Sequence, residues 1–279
     1  MSAPTGANAL RRRLLLDLCH LAEEPDGISA AAEFAQLLQR ELVGVYVEDE
    51  ALCSLAGLPF ARELQLPGHA WSPIGTEGVE AAFREAALRL RAILQRQGAR
   101  HGVASRFESA RGDPAGFVAA MSRDTDILAL GLPPGPSGRA FGTFREAWRA
   151  AMRSRAAILL LPARIARRRG PIAAFVSGEG AQGAATAATL AAATGEDLLL
   201  LQGRRGTAPP SAALRKAIGE AGLEEPRLRR LVLDSDTPEA VVQALTRVAG
   251  RMLLLDRRHG GPEDALALSE ALRIPILME

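Results

Sequence analysis

Short apolar runs alternate with alanine-rich amphipathic stretches along the whole chain. Residues 14–18 (LLLDL), 42–47 (LVGVYV), 127–130 (ILAL) and 157–161 (AILLL) read as buried strands, and 103–107 as a weaker one. Between them, 27–39, 77–97, 113–122 and 144–153 carry apolar residues at helical spacing. In 77–97, Val79, Phe83, Leu88, Leu90 and Leu94 gather largely on one side. Asp113-Pro114 reads as a helix start, a capping carboxylate followed by a residue with no N–H to satisfy. After Pro162, the basic segment 163–170 (ARIARRRG) interrupts the pattern and closes on Gly170-Pro171, as a linker does. The alternation then restarts. Strands are expected at 172–176, 198–201, 228–233, 252–255 and 274–278, and helices at 181–193, 211–222, 238–248 and 262–272.

Each half therefore reads β-α-β-α-β-α-β-α-β. Apolar strands separated by helices point to a parallel sheet covered on both faces, and right-handed crossovers make that sheet doubly wound. The expected organisation is α/β: two Rossmann-like domains in tandem, 1–165 and 170–279. The last strand of one half is expected to pair with the last strand of the other, a pseudo-dimer within one chain. Residues 57–75 (GLPFARELQLPGHAWSPIG) read as a long exposed loop, with Phe60 and a partly buried Trp71 as anchors for a protein partner.

Composition narrows the function. The 279 residues include 34 basic and 32 acidic side chains, a net charge of +2, which disfavours a general polyanion binder. Lys216 is the only lysine, a skew that fits a GC-rich bacterial genome. Aromatic residues make up 4%, too few for a nucleic-acid stacking platform. Two cysteines, Cys19 and Cys53, make no disulfide framework and suit a reducing cytoplasm. Cys19 beside His20 reads as a small buried residue and its neighbour rather than a reactive pair. The basic and apolar start of the chain is broken by Asp17 and two further acids, so it does not read as a signal peptide. No run approaches a membrane span, and the histidines show no metal-ligand spacing.

Four stretches, taken in order, resemble the universal stress protein family: LLLDLCH ending a first strand near Asp17, ELVGVYVEDE, RGDPAGFVAAMSRDTDILALG through Gly131, and GTFREAWRAAMRSRAAILLLP. The second half resembles the family in layout more than in motif. The resemblance implies an adenine nucleotide alpha hydrolase-like fold and, in nucleotide-binding members, a site for ATP or AMP, with Mg accompanying ATP. Asp17 and the backbone at Val47 would then hold the adenosine. A glycine pattern after the fourth strand would wrap the phosphates, because glycine lets N–H groups approach an anion and a Gly-Ser/Thr pair opens a helix. Here that stretch reads GLPPGPSGRAFGT. Gly131, Gly135, Gly138, Arg139, Gly142 and Thr143 are the candidates. The spacing departs from the family pattern, and the three prolines lack donors. The stretch is either a rebuilt cradle or a Gly/Pro turn.

The second half offers Gly178-x-Gly180-x-x-Gly183 after a strand, a dinucleotide-like turn without the acidic residue expected after the next strand. No P-loop lysine and no His–carboxylate spacing are legible. The sequence thus reads as a stress-response binding module rather than an enzyme. A protein-interaction module without nucleotide is the alternative, and a weak ATPase or dinucleotide-dependent enzyme a more distant one. A homodimer is compatible with this reading.

Overall fold

The computed structural model describes residues 12–21, 25–65, 68, 70–133, 143–176, 182–203, 212–223, 227–257 and 262–279. Ten of its strands form one sheet. The first half supplies β1 (Arg13–Asp17), β2 (Glu41–Asp49), β5 (Ser105–Gly112), β6 (Ile127–Gly131) and β7 (Ala157–Leu161). The second half supplies β8 (Ile172–Val176), β9 (Leu198–Gln202), β10 (Leu228–Val232), β11 (Met252–Leu255) and β12 (Ile276–Met278). The order across the sheet is β10-β9-β8-β11-β12-β7-β6-β1-β2-β5, which reads the same way from either edge. Within each half every pair is parallel, and the inner strands carry the uninterrupted apolar runs that a sheet covered on both faces buries.

The halves meet where β7 and β12 run antiparallel, with Leu159 opposite Leu277. Side chains alternate across a strand, so this pair feeds two cores. Leu159 and Leu277 face one layer with Leu16, Ala31, Ala174 and Leu190. Ile158, Leu160, Ile276 and Met278 face the other with Leu15, Trp148, Ala173 and Leu253. Each layer therefore runs across both halves without a break.

The first half carries helices α1 (Pro25–Leu37), α2 (Glu50–Ala56), α3 (Thr76–His101), α4 (Pro114–Met121) and α5 (Thr143–Arg153). The second carries α6 (Gln182–Thr194), α7 (Ala212–Glu220), α8 (Pro238–Arg247) and α9 (Pro262–Leu272). The Asp113 cap forms as expected, its carboxylate accepting the Ala115 N–H at 3.0 Å. The segment 163–170 ties to both halves. Arg168 pairs with Asp26 on α1 at 2.9 Å, and Ala166 N–H donates to the Arg273 carbonyl at 2.8 Å. Its closing glycine, Gly170, sits at φ 126°, where an added Cβ would lie 2.3 Å from the Ala249 carbonyl oxygen.

One stretch differs from expectation. Asp49 caps the short helix α2 by accepting from the N–H groups of Ala51 and Leu52. Beyond it, β3 (Arg62–Gln65) and β4 (Ala70–Pro73) pair as a separate antiparallel hairpin rather than an irregular loop. Leu64 stands opposite Trp71. Trp71 is 62% exposed and Phe60 75%, so Trp71 is a surface side chain and not a partly buried one. Alternation over only four residues on each strand is too brief to separate a strand from a loop in the sequence.

Candidate functional site

In a doubly wound sheet the crevice for ligands opens at the carboxyl ends of the strands, where the strand order reverses. In the first half that point lies between β1 and β6. Four of the expected residues meet around it: Asp17 at the end of β1, Val47 near the end of β2, Gly131 at the end of β6, and Thr143 at the start of α5. Gly135, Gly138, Arg139 and Gly142 lie outside the described residues, as do Gly178 and Gly180 of the second half.

Residues 19–21, just beyond β1, hydrogen-bond to Asp17, Val47 and Thr143 and pack on Gly131. Asp17 is fully buried, a costly place for a carboxylate unless it is hydrogen-bonded. One oxygen accepts the Cys19 N–H at 2.9 Å, and the other accepts from His20 Nδ1 at 2.6 Å. That contact places a proton on Nδ1 and, in the neutral ring, leaves Nε2 as an acceptor. Nε2 lies 2.8 Å from the Thr143 hydroxyl, which then donates to it. Phe144 meets the edge of the ring with centroids 6.1 Å apart. The three side chains form a line from the end of β1 to the start of α5, spanning 126 residues of sequence between Asp17 and Thr143.

Cys19 and Leu21 contact the other two expected residues, Val47 and Gly131. The Val47 N–H donates to the Cys19 sulfur at 3.2 Å, and the thiol donates back to the Val47 carbonyl at 3.6 Å. Burial first, and then the nearby Asp17 charge, push the Cys19 thiol up to about 12, so it stays protonated at neutral pH. Leu21 packs on Gly131, where an added Cβ would sit 2.7 Å from its Cδ2 atom. Only glycine admits that approach.

In this arrangement the groups that would hold an adenosine already have partners. The Val47 peptide that would read the base is already paired with a thiol, and the glycine nearest the phosphate position is covered by a leucine. An Asp-His-Thr order can polarise a hydroxyl in hydrolytic enzymes. Here the His20 side chain is 5% exposed and its two contacts tie the end of β1 to the start of α5. Sequence reasoning paired Cys19 with His20 but did not connect either to the site. The available signal was position: residues just after an aspartate-ending strand in this fold project over the switch point.

No family model matches the chain, and no curated protein matches it. Solved structures do. A universal stress protein from Archaeoglobus fulgidus DSM 4304 aligns over 95% of this chain and 95% of its own, with TM-score 0.63 and 14% identity. A protein of Pseudomonas aeruginosa PAO1, described as functionally unknown, aligns over 97% of this chain and 92% of its own, with TM-score 0.54 and 15% identity. A provisionally assigned universal stress protein from P. aeruginosa UCBPP-PA14 aligns over 96% and 92%, with TM-score 0.53 and 15% identity. The chain thus has the universal stress protein fold over nearly all its length. Among the described residues no helix is long and apolar enough to cross a membrane.

Proposed function

We propose that the chain is a non-catalytic, stress-response regulatory module of the universal stress type, and that its first-half crevice takes an adenine nucleotide only after residues 19–21 leave it. The convergence of Asp17, Val47, Gly131 and Thr143 at the switch point carries this reading. Their occupation by Cys19, His20 and Leu21 supplies the gate. A ligand that binds only an opened form has its affinity reduced by the fraction of molecules that are open. ATP or AMP is the ligand class, with Mg accompanying ATP.

Calorimetry on the full chain tests this. ATP and AMP should bind weakly to the wild type. Cys19→Ala, which frees the Val47 peptide, should bind them about five- to tenfold more tightly. Thr143→Arg should abolish binding. Absence of binding to both the wild type and Cys19→Ala overturns the nucleotide reading.

A second reading rests on a different observation. Leu55, Leu58, Phe60, Leu64 and Trp71 are all exposed around α2 and the β3–β4 hairpin. Apolar side chains gathered in this way favour a protein-interaction role.

A further inference from the structure

The two halves carry equivalent turns with unlike charges. After α1, Gln39 is left-handed (φ 51°) and the next residue, Arg40, returns its N–H to the Ala35 carbonyl at 2.8 Å. After α6, Gly195 is left-handed (φ 69°) and Glu196 returns its N–H to the Ala191 carbonyl at 3.0 Å. Arg40 and Glu196 therefore occupy the same place in the two halves. So do Asp126, just before β6, and Arg251, just before β11.

In the second half the two charges join. Arg251 reaches Glu196 at 3.2 Å and Glu33 of α1 at 2.7 Å, across the junction. The pocket lined by Arg251, Glu33 and Arg168 there holds only about 10 Å³. In the first half they do not join. Asp126 is taken by Arg13, at 2.6 and 3.2 Å. Arg40 donates one N–H to the Thr125 carbonyl, and its Nε is buried without a partner among the described residues. Burial, and then the positive charge of Arg12, push the Arg40 guanidinium down, against the smaller opposing charges of Glu279 and Asp126.

This side is open. A cavity of about 330 Å³ is lined by Arg12, Arg40, Asp126, Thr186, Arg257 and Glu279, among others. A second volume of about 560 Å³ shares Arg12, Arg40, Thr186 and Glu279 and extends between α1 and α6 over Leu37, Leu38, Ile127, Ala192 and Ala193. Arg257 is committed elsewhere, donating to four carbonyls at the end of α5. Asp126 is neutralised by Arg13. Arg155 also lines the cavity and faces Asp124 at 3.6 Å. The Glu279 carboxylate accepts from Thr186; burial pushes its pKa up, while that bond and the Arg40 charge act the other way. Arg12 and Arg40 are the cations that line both volumes, with the Glu279 carboxylate bonded to Thr186 and an apolar floor beside them.

We propose that this junction groove is a ligand site for a small phosphate monoester with an apolar body. The phosphate lies between the Arg12 and Arg40 guanidiniums and the apolar part between α1 and α6. Guanidinium geometry suits a doubly charged oxyanion, and a volume of a few hundred Å³ suits a small molecule. The site lies at the amino ends of β1, β6 and β7, the opposite edge of the first-half sheet from Asp17, and is independent of the nucleotide crevice.

Phenyl phosphate, titrated into the full-length chain by calorimetry, is the probe, with inorganic phosphate alongside. Phenyl phosphate should bind at least about tenfold more tightly than inorganic phosphate. Arg40→Met should weaken it about tenfold or more, the range of a lost charged hydrogen bond. Arg12→Met, at an exposed position, should weaken it several-fold and keeps the test open if the Arg40 variant does not fold. Thr143→Arg should leave it unchanged. No binding to the wild type, equal affinity for the two probes, indifference to both arginine variants, or loss on Thr143→Arg would each overturn the assignment.

Discussion

The sulfur of Cys19 is hydrogen-bonded to both polar groups of a single peptide, the N–H of Val47 at 3.2 Å and its carbonyl at 3.6 Å. A thiol held in this way is a poor nucleophile, since only the thiolate attacks. Iodoacetamide at pH 8 should therefore modify Cys53 well before Cys19 in the folded chain. In urea the two should react at similar rates. Mass spectrometry of the peptides reads the difference.

The same thiol makes stability depend on pH. In the folded chain Cys19 holds its proton to about 12, against an ordinary value of 9.0. Between those values the folded state binds more protons than the unfolded one. The contribution is fully present below about pH 9 and is lost as pH rises toward about 12. The wild type should lose more stability than Cys19→Ala over that interval. Parallel denaturation midpoints for the two proteins would refute this.

Removing the Asp17 carboxylate strips partners from two groups at once, the Cys19 N–H and His20 Nδ1. Each unpaired buried group costs about 1–3 kcal/mol, so Asp17→Ala should destabilise by about 2–4 kcal/mol in urea unfolding. Asp17→Asn keeps one acceptor oxygen and should cost less. His20→Ala releases Thr143 as well, and should raise amide exchange in the first turn of α5.

Arg251 joins the halves through Glu33 and is held on its own side by Glu196, and its side chain is 7% exposed. Truncating one member of a buried pair strands the others. Arg251→Met should cost about 3 kcal/mol. Glu33→Gln, which keeps a hydrogen-bond acceptor, should cost less. Equilibrium denaturation compares the two.

Leu277 is fully buried opposite Leu159 at the seam. Leu277→Ala should cost about 2–5 kcal/mol through lost burial and the cavity left behind. Because both layers cross the seam, the loss should lower the melting of the whole chain in one transition. A second transition, with one half unchanged, would show that the layers do not couple the halves.

The fold was legible because its signal is local. Runs such as AILLL and MLLL are apolar without alternation, and only a sheet covered on both faces buries them. Asp113-Pro114 marked a helix start for an equally local reason. Neither the hairpin nor the Asp17–His20–Thr143 line was legible. The hairpin's register rests on pairs such as Leu64 with Trp71, carried by strands of four residues. His20 touches Thr143 across 123 positions, and no spacing rule connects them. Arg40 looked like one more arginine in an arginine-rich chain. Its isolation becomes visible only when Arg13 is seen to hold Asp126.

The β7–β12 pairing uses one edge of each half, and the strands left at the rims are β5 and β10. Those rims carry Arg106, Glu108 and Arg111 on one side and Arg229 and Arg230 on the other, charges that discourage a further strand from adding. Two separate chains joined by such a seam would be in equilibrium with their free forms and would part on dilution. Carried on one polypeptide, the seam is independent of concentration. The two ends of it are also free to differ, since no symmetry obliges Arg40 and Glu196 to be the same residue.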